Sequence, residues 1–196
     1  FIAHGLYSSK SEIRVRLYSW DRDRPLTSEF FEAQIKNAVH LRKEILGYGS
    51  PNGASRLIFS EGDGLSGLIV DQYADYLVVQ ITSTALATKL EWITAALKNI
   101  VNPKGIYLRV VKEMSEKEGL LETDRILYGE LPREPVRFEQ DGVGFEIEIG
   151  GGQKTGFYLD QRENRLAAAK LARGKRVLDL YTYTGGFALD CAKGGA

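Results

Sequence analysis

Cysteine, histidine and methionine are scarce in this 196-residue chain, which has one cysteine (Cys191), two histidines (His4 and His40) and one methionine. A lone cysteine excludes an internal disulfide and any cysteine-based zinc cluster, and the two distant histidines give no metal-ligand spacing. No run of ~18 or more apolar residues occurs, so no segment reads as a membrane span. The opening FIAHGLYSS carries no signal-peptide pattern, and the expected location is cytoplasmic, with no membrane partner. An excess of charge of one sign is also missing, because 26 basic and 26 acidic side chains cancel. With 43% hydrophobic content the chain can bury one sizeable core or two small ones.

The charge is nevertheless uneven. Residues 111–150 hold five basic and eleven acidic groups, a net of −6, whereas residues 151–196 hold eight and four, a net of +4. A polyanion such as RNA would meet the carboxyl-terminal segment first, or the arginines at 14, 16, 22 and 24. Solvated faces carry patches of this size as well.

Pattern and punctuation divide the chain into four pieces. Residues 1–24 alternate, with Ile13, Val15 and Leu17 set against Arg14, Arg16 and Tyr18, which predicts a half-buried strand at the end of a small β domain. In 25–54, Thr27 or Ser28 can cap a connecting helix whose Phe30, Phe31, Ile35, Val39, Leu41 and Ile45 fall at helical spacing before Gly47. Residues 55–149 read as an α+β domain with a core of its own. Its strands are RLIFS, GLIVDQ, YLVVQIT, GIYLRVV, RILYG and a pair around Val136 and Phe145, with a helix from Ala85 to Ile100. Residues 150–196 run loop, helix, strand, helix, the opening of a doubly wound α/β domain.

Three glycine-rich signals compete. SEGDGLSGL (60–68) lies between strand-like runs with no lysine and no helix after it, so a hairpin connection suits it better than a phosphate cradle. EIGGGQKTG places Lys154 and Thr155 like the lysine and hydroxyl of a P-loop, and a nucleotide hydrolase is the reading that follows. The glycines that motif needs are replaced by Gln153 and Glu148. The third signal has the best context. Val177, Leu178 and Leu180 form a short apolar strand broken by Asp179, and the turn YTYTGG leads into a helix at Phe187. An acidic residue at a strand end, a glycine turn and a helix N-terminus suit a nucleoside-type cofactor with an anionic group. The GxGxxG spacing of NAD and FAD sites is absent, since Tyr181, Tyr183 and Gly186 stand at those places. Close packing of strand on helix is the alternative role for Gly185 and Gly186.

Taken together, GQKTGFYLDQRENR (152–165) and DLYTYTGGF (179–187) resemble the S-adenosylmethionine-dependent ribosomal RNA large-subunit methyltransferase I family. SEGDGLSGLIVDQY (60–73) resembles the start of that family's central domain, and GLYS with IRVR (5–16) the end of its PUA domain. The resemblance implies an α/β fold, an α+β central domain followed by the start of a class I methyltransferase Rossmann-like domain, with a PUA remnant ahead of them. It also implies S-adenosyl-L-methionine as cofactor, 5-methylcytosine as product and ribosomal RNA as partner. By the same resemblance Asp179, Tyr181, Thr182, Thr184, Gly185 and Gly186 border the methionine part of the cofactor, and Thr155, Gly156, Tyr158, Asp160 and Arg162 lie over the same pocket. Arg162 could pair with the cofactor carboxylate or remain on the helix surface with Asp160 or Glu163.

Carbon 5 of cytosine is a poor nucleophile, and enzymes of this kind activate it with a cysteine thiolate at carbon 6. The family's cysteine comes much further along than Cys191, which reads as a packing residue, so no catalytic residue is expected in this chain. The acidic residue that holds the ribose hydroxyls, ~20 residues beyond the turn, would fall past Ala196. The expectation is therefore a fragment of a larger enzyme, inactive alone, whose strand at 177–181 is covered by further chain or by a second copy in a homodimer. A non-catalytic RNA-binding adapter is the alternative.

Overall fold

In the computed structural model, which describes residues 1–111, 118–150 and 157–196, a five-stranded mixed sheet separates two hydrophobic cores. Its strands are β3 (Ala54–Phe59), β4 (Leu68–Tyr73), β5 (Tyr76–Ile81), β6 (Gly105–Arg109) and β7 (Arg125–Gly129), lying in chain order. Neighbours are antiparallel except β5 and β6, which are joined through α2 (Thr84–Ala87) and α3 (Leu90–Val101). That parallel pair requires a crossover, and the helices supply it. The single helix expected over 85–100 is thus two: Ser83 caps α2 through the Leu86 amide, and the Thr88 hydroxyl bonds back to the Ala85 carbonyl before α3 begins. The 60–68 segment is the predicted hairpin connection, a 3₁₀ turn followed by left-handed Gly64.

One face of the sheet packs on α3 and on α1 (Ser28–His40), whose Phe30, Phe31, Ile35, Ala38 and Val39 are buried. Thr27 caps α1 by accepting from the Phe30 amide. After His40 the helix widens into a π turn, Leu41–Ile45, closed by the Leu46 amide on the Leu41 carbonyl at 2.9 Å. Wider winding rotates the apolar stripe away from the core. Leu41 and Ile45 are accordingly exposed, contrary to the helical spacing read from the sequence.

The amino-terminal hairpin, β1 (His4–Tyr7) and β2 (Val15–Ser19), keeps the predicted alternation but turns the opposite side inward. Ile13, Val15 and Leu17 face solvent, while Tyr18 is buried edge-on against Phe31 and donates to the Ser66 carbonyl at 2.6 Å. Arg16 also turns inward, because Glu118 at 3.2 Å and Glu61 at 3.6 Å neutralise it. The core around α1 is therefore shared by the hairpin, the connector helix and the sheet.

The opposite face of the sheet positions the carboxyl-terminal segment. The hairpin β8 (Val136–Gln140) and β9 (Val143–Ile147) turns at Asp141 and Gly142, both left-handed. Phe138 and Phe145 stack at 5.5 Å and hold Phe157 at 5.3 and 4.6 Å. Buried Tyr73 lies against Phe138 and bonds the Phe157 carbonyl. This aromatic cluster fixes where the chain leaves the sheet toward α4 (Arg162–Ala172) and α5 (Gly186–Lys193).

Between those helices Val177–Leu180 runs without a ladder partner among the described residues, with Leu178 81% exposed. The strand expected there is an open segment, since a strand is defined by its neighbour and none stands beside it.

Candidate functional site

Two segments converge on a cleft of about 520 Å³, the turn at 157–161 and the stretch 179–187. Of the residues singled out from sequence, Tyr158, Asp160, Asp179, Tyr181, Thr182, Thr184 and Gly186 line it together. Gly185 lies outside the lining and starts α5 from a left-handed conformation, φ 77°. Thr155, Gly156 and the P-loop-like Lys154 lie outside the described residues. Arg162 is turned elsewhere: its guanidinium forks onto Asp141, with Nε 2.8 Å from Oδ2, and lies 3.9 Å over the Tyr48 ring. Neither Asp160 nor Glu163 is its partner, and Glu163 instead accepts from the Tyr48 hydroxyl at 2.5 Å.

The turn's backbone is its most unusual feature. Tyr181 (φ 60°), Tyr183 (φ 53°) and Gly185 (φ 77°) take the left-handed region at every second position. For tyrosine each such placement costs ~1–3 kcal/mol and persists only where surrounding structure or function maintains it. The Gly185 amide closes the turn on the Thr182 carbonyl at 2.9 Å, and the Thr182 hydroxyl donates to Asp179 at 2.8 Å. No side chain caps α5. Its first amides thus have no intrahelical acceptor and, with the helix dipole, present positive potential where Gly186 and Phe187 form the cleft wall. Tyr158 and Tyr183 meet edge to face at 5.4 Å across the cleft.

Sequence reasoning missed the side chain that braces this arrangement. Arg165 is 2% exposed and donates to Asp190 on α5 at 3.0 Å, to the Tyr158 carbonyl at 3.0 Å and to Gln140. Burial lowers the basicity of its guanidinium, and the Asp190 charge opposes that loss. A Cβ on Gly186 would stand 3.1 Å from Arg165 Cδ and 3.6 Å from the Phe157 ring, so a side chain there requires Arg165 to give by a few tenths of an ångström. The sequence held a signal for Arg165: on α4 it shares a face with Ala169 and Ala172, four and seven residues on, a cation in an otherwise small, apolar stripe. Arg165 itself, with Phe157, Gln161, Leu180, Tyr183 and Phe187, completes the lining.

Cys191 is buried on α5 and absent from the lining, as expected of a packing residue. Among the described residues no group of three or more His, Cys, Asp or Glu could hold a metal, and no helix is long and apolar enough to cross a membrane.

Residues 80–196 match the model of S-adenosylmethionine-dependent methyltransferases. The chain belongs to that family. Over its whole length it is 43% identical to a protein of Aeromonas hydrophila and 40% identical to one of Vibrio cholerae, both named Ribosomal RNA large subunit methyltransferase I. It covers 49% of each, so the chain spans about half the length of the curated relatives it matches. The fold superposes on a candidate SAM-dependent methyltransferase from Streptococcus mutans with a TM-score of 0.81 at 23% identity, over 100% of this chain and 50% of that one. It also superposes on a candidate methyltransferase complexed with SAH, again at 0.81, with 25% identity, over 100% of this chain and 49% of that one.

The methyltransferase family's cofactor is S-adenosylmethionine, a molecule with a carboxylate, an ammonium, a sulfonium and an aromatic base. The cleft's chemistry fits its parts. Uncapped amides at the start of α5 suit the carboxylate, the carboxylates of Asp160 and Asp179 suit the cationic centres, and the tyrosines suit flat or apolar surfaces.

Proposed function

We propose that this chain belongs to an S-adenosylmethionine-dependent RNA methyltransferase acting on carbon 5 of a cytosine in large-subunit ribosomal RNA. The observation that carries the reading is the cleft itself, a strained turn running into an uncapped helix N-terminus, opposite the Tyr158–Gln161 turn. The cofactor, when bound, supplies an electrophilic methyl group. The residues of the chain bind and orient: the α5 amides receive the anionic end, Asp160 and Asp179 lie near positive charge, and Tyr158 and Tyr183, in edge-to-face contact, form its aromatic side. Thr182, Thr184, Gly185 and Gly186 shape the turn.

The parent protein's organisation follows the four pieces, with PUA strands at 1–24, a connector at 25–54, a central domain at 55–149 and the opening of the Rossmann-like domain from 150. RNA is its partner and the cytoplasm its location. The 196 residues alone transfer no methyl group, a reading supported by the burial of Cys191 away from the cleft. The exposed segment at 177–180 is covered in the parent by further strands or, failing those, by a second copy. The test is to incubate large-subunit ribosomal RNA and labelled S-adenosylmethionine with this chain, and with a version extended to the length of its relatives. Digested nucleosides should contain labelled 5-methylcytidine with the long version only. Label on another nucleoside, or transfer by the 196 residues alone, would contradict the proposal.

A further inference from the structure

We propose that Arg56 on the central sheet is a positioning residue for the cleft, holding the Asp160 carboxylate at its wall across the boundary between sheet and carboxyl-terminal segment. The inference rests on reading the cleft as the cofactor site. Arg56 and Asp71 are direct cross-strand partners on β3 and β4, and the register of β3 shifts immediately after Arg56. Irregularities of this kind re-aim a side chain beside a functional site. The fork is anchored on one edge, with Nε 2.8 Å from Asp71 Oδ1 and Nη2 3.0 Å from Oδ2, and Asp71 is fully buried. Its remaining edge, Nη1, stands 3.9 Å from Asp160 Oδ1. Asp160 lies in the 3₁₀ turn Leu159–Gln161, and Leu159 is sunk in the aromatic core.

Burial works against the Arg56 charge, yet Asp71 and then Asp160 outweigh it and hold the guanidinium more basic than usual. The Arg56 side chain is 18% exposed and that of Asp160 is 40% exposed. A contact of this length to a partly solvated carboxylate adds little stability. What it does supply is direction. A planar fork locked by a buried acid cannot swing, so the carboxylate facing it is held against the wall instead of sampling solvent. Lysine could carry the charge but has no second edge. Nearby contacts tie the same motif to other elements of the protein, Arg162 to Asp141 and Glu163 to Tyr48.

The experiment compares SAH binding by calorimetry to the intact chain, Arg56→Lys, Asp160→Asn and the double variant. Arg56→Lys is expected to weaken binding by about three- to tenfold, the scale of a pairwise coupling, and the double variant to bind no worse than Asp160→Asn alone. Wild-type affinity in Arg56→Lys, or losses that multiply in the double variant, would overturn the inference. A second readout needs no ligand. Amide exchange across 157–165 should quicken in Arg56→Lys while β4 and β5 stay protected, and unchanged exchange there would equally overturn it. Asp71→Asn, which loosens the fork from its far side, should give the same pattern if Arg56→Lys unfolds. If the wild-type chain binds no SAH, the cofactor reading fails, and the exchange data still decide whether Arg56 holds the Asp160 turn.

Discussion

Replacing Arg165 with methionine keeps most of the side chain's length and removes only the charged fork. Asp190, 5% exposed, then loses its cation, and the Tyr158 carbonyl and Gln140 lose a donor each. Breaking one side of a buried ion pair costs ~3–5 kcal/mol, because the surviving charge stays buried without compensation. Against a total stability of ~5–15 kcal/mol, that is a large share. At ~2–4 °C per kcal/mol for a chain of this size, the melting temperature should fall by about 6–20 °C. Differential scanning calorimetry on Arg165→Met, with urea titration as a second measure, reads this directly. The cause is separable from loss of bulk, since Arg165→Met/Asp190→Leu removes both charges and should regain at least about half of the lost stability. A single variant within ~1 kcal/mol of wild type, or a double variant no better than the single, would refute the assignment of Arg165 as the brace between α4, α5 and the cleft.

Other consequences follow from the same geometry. Gly186→Ala should cost ~1–3 kcal/mol in urea denaturation, since its Cβ meets an arginine held in place by three partners, and equal or greater stability would argue against close packing at the turn. Tyr181 is fully exposed and left-handed, so Tyr181→Asn, which tolerates that conformation, should stabilise the chain by up to ~1 kcal/mol while weakening SAH binding. Loss of stability in that variant would show that the ring is held by packing instead. Burial pushes the Tyr18 phenol above its ordinary value of 10.0, so the folded chain holds that proton more tightly than the unfolded one. Its stabilisation is intact below pH 10 and lost as pH climbs through the folded value. Tyrosinate absorbance compared between wild type and Tyr18→Phe should therefore show Tyr18 ionising only with unfolding, and early ionisation would contradict its burial.

Local signals in the sequence were legible where a single element decided them. Thr27 ahead of an apolar run marked α1, and the turn at 60–68 and the hairpin at 136–147 followed from punctuation and alternation. The site's two segments were visible as motifs, and seven of their residues do meet in one cleft. Failures arose where tertiary context reverses a local rule. The alternation of residues 13–18 was correct in period but turned the wrong way, because Glu118 and Glu61 make burial of Arg16 tolerable and neither is near it in sequence. The spacing through Leu41 and Ile45 assumed a regular helix, and one π turn undid it. For Arg162 the motif left two roles open, a cofactor contact or a surface pair with Asp160 or Glu163, and the guanidinium instead pairs with Asp141, brought close by the β8–β9 turn. Arg165 and Arg56 went unnoticed because their meaning lies in buried acids on other elements, Asp190 and Asp71.

The central claim is that the cleft between the 157–161 turn and the start of α5 receives S-adenosylmethionine. Its most direct test is an NMR titration of the isotope-labelled chain with SAH. Saturable shifts should concentrate on the amides of Asp179–Phe187 and Tyr158–Gln161 and leave β1, β2 and β7 unmoved. No saturable shift, or saturable shifts centred away from those two segments, would contradict the account.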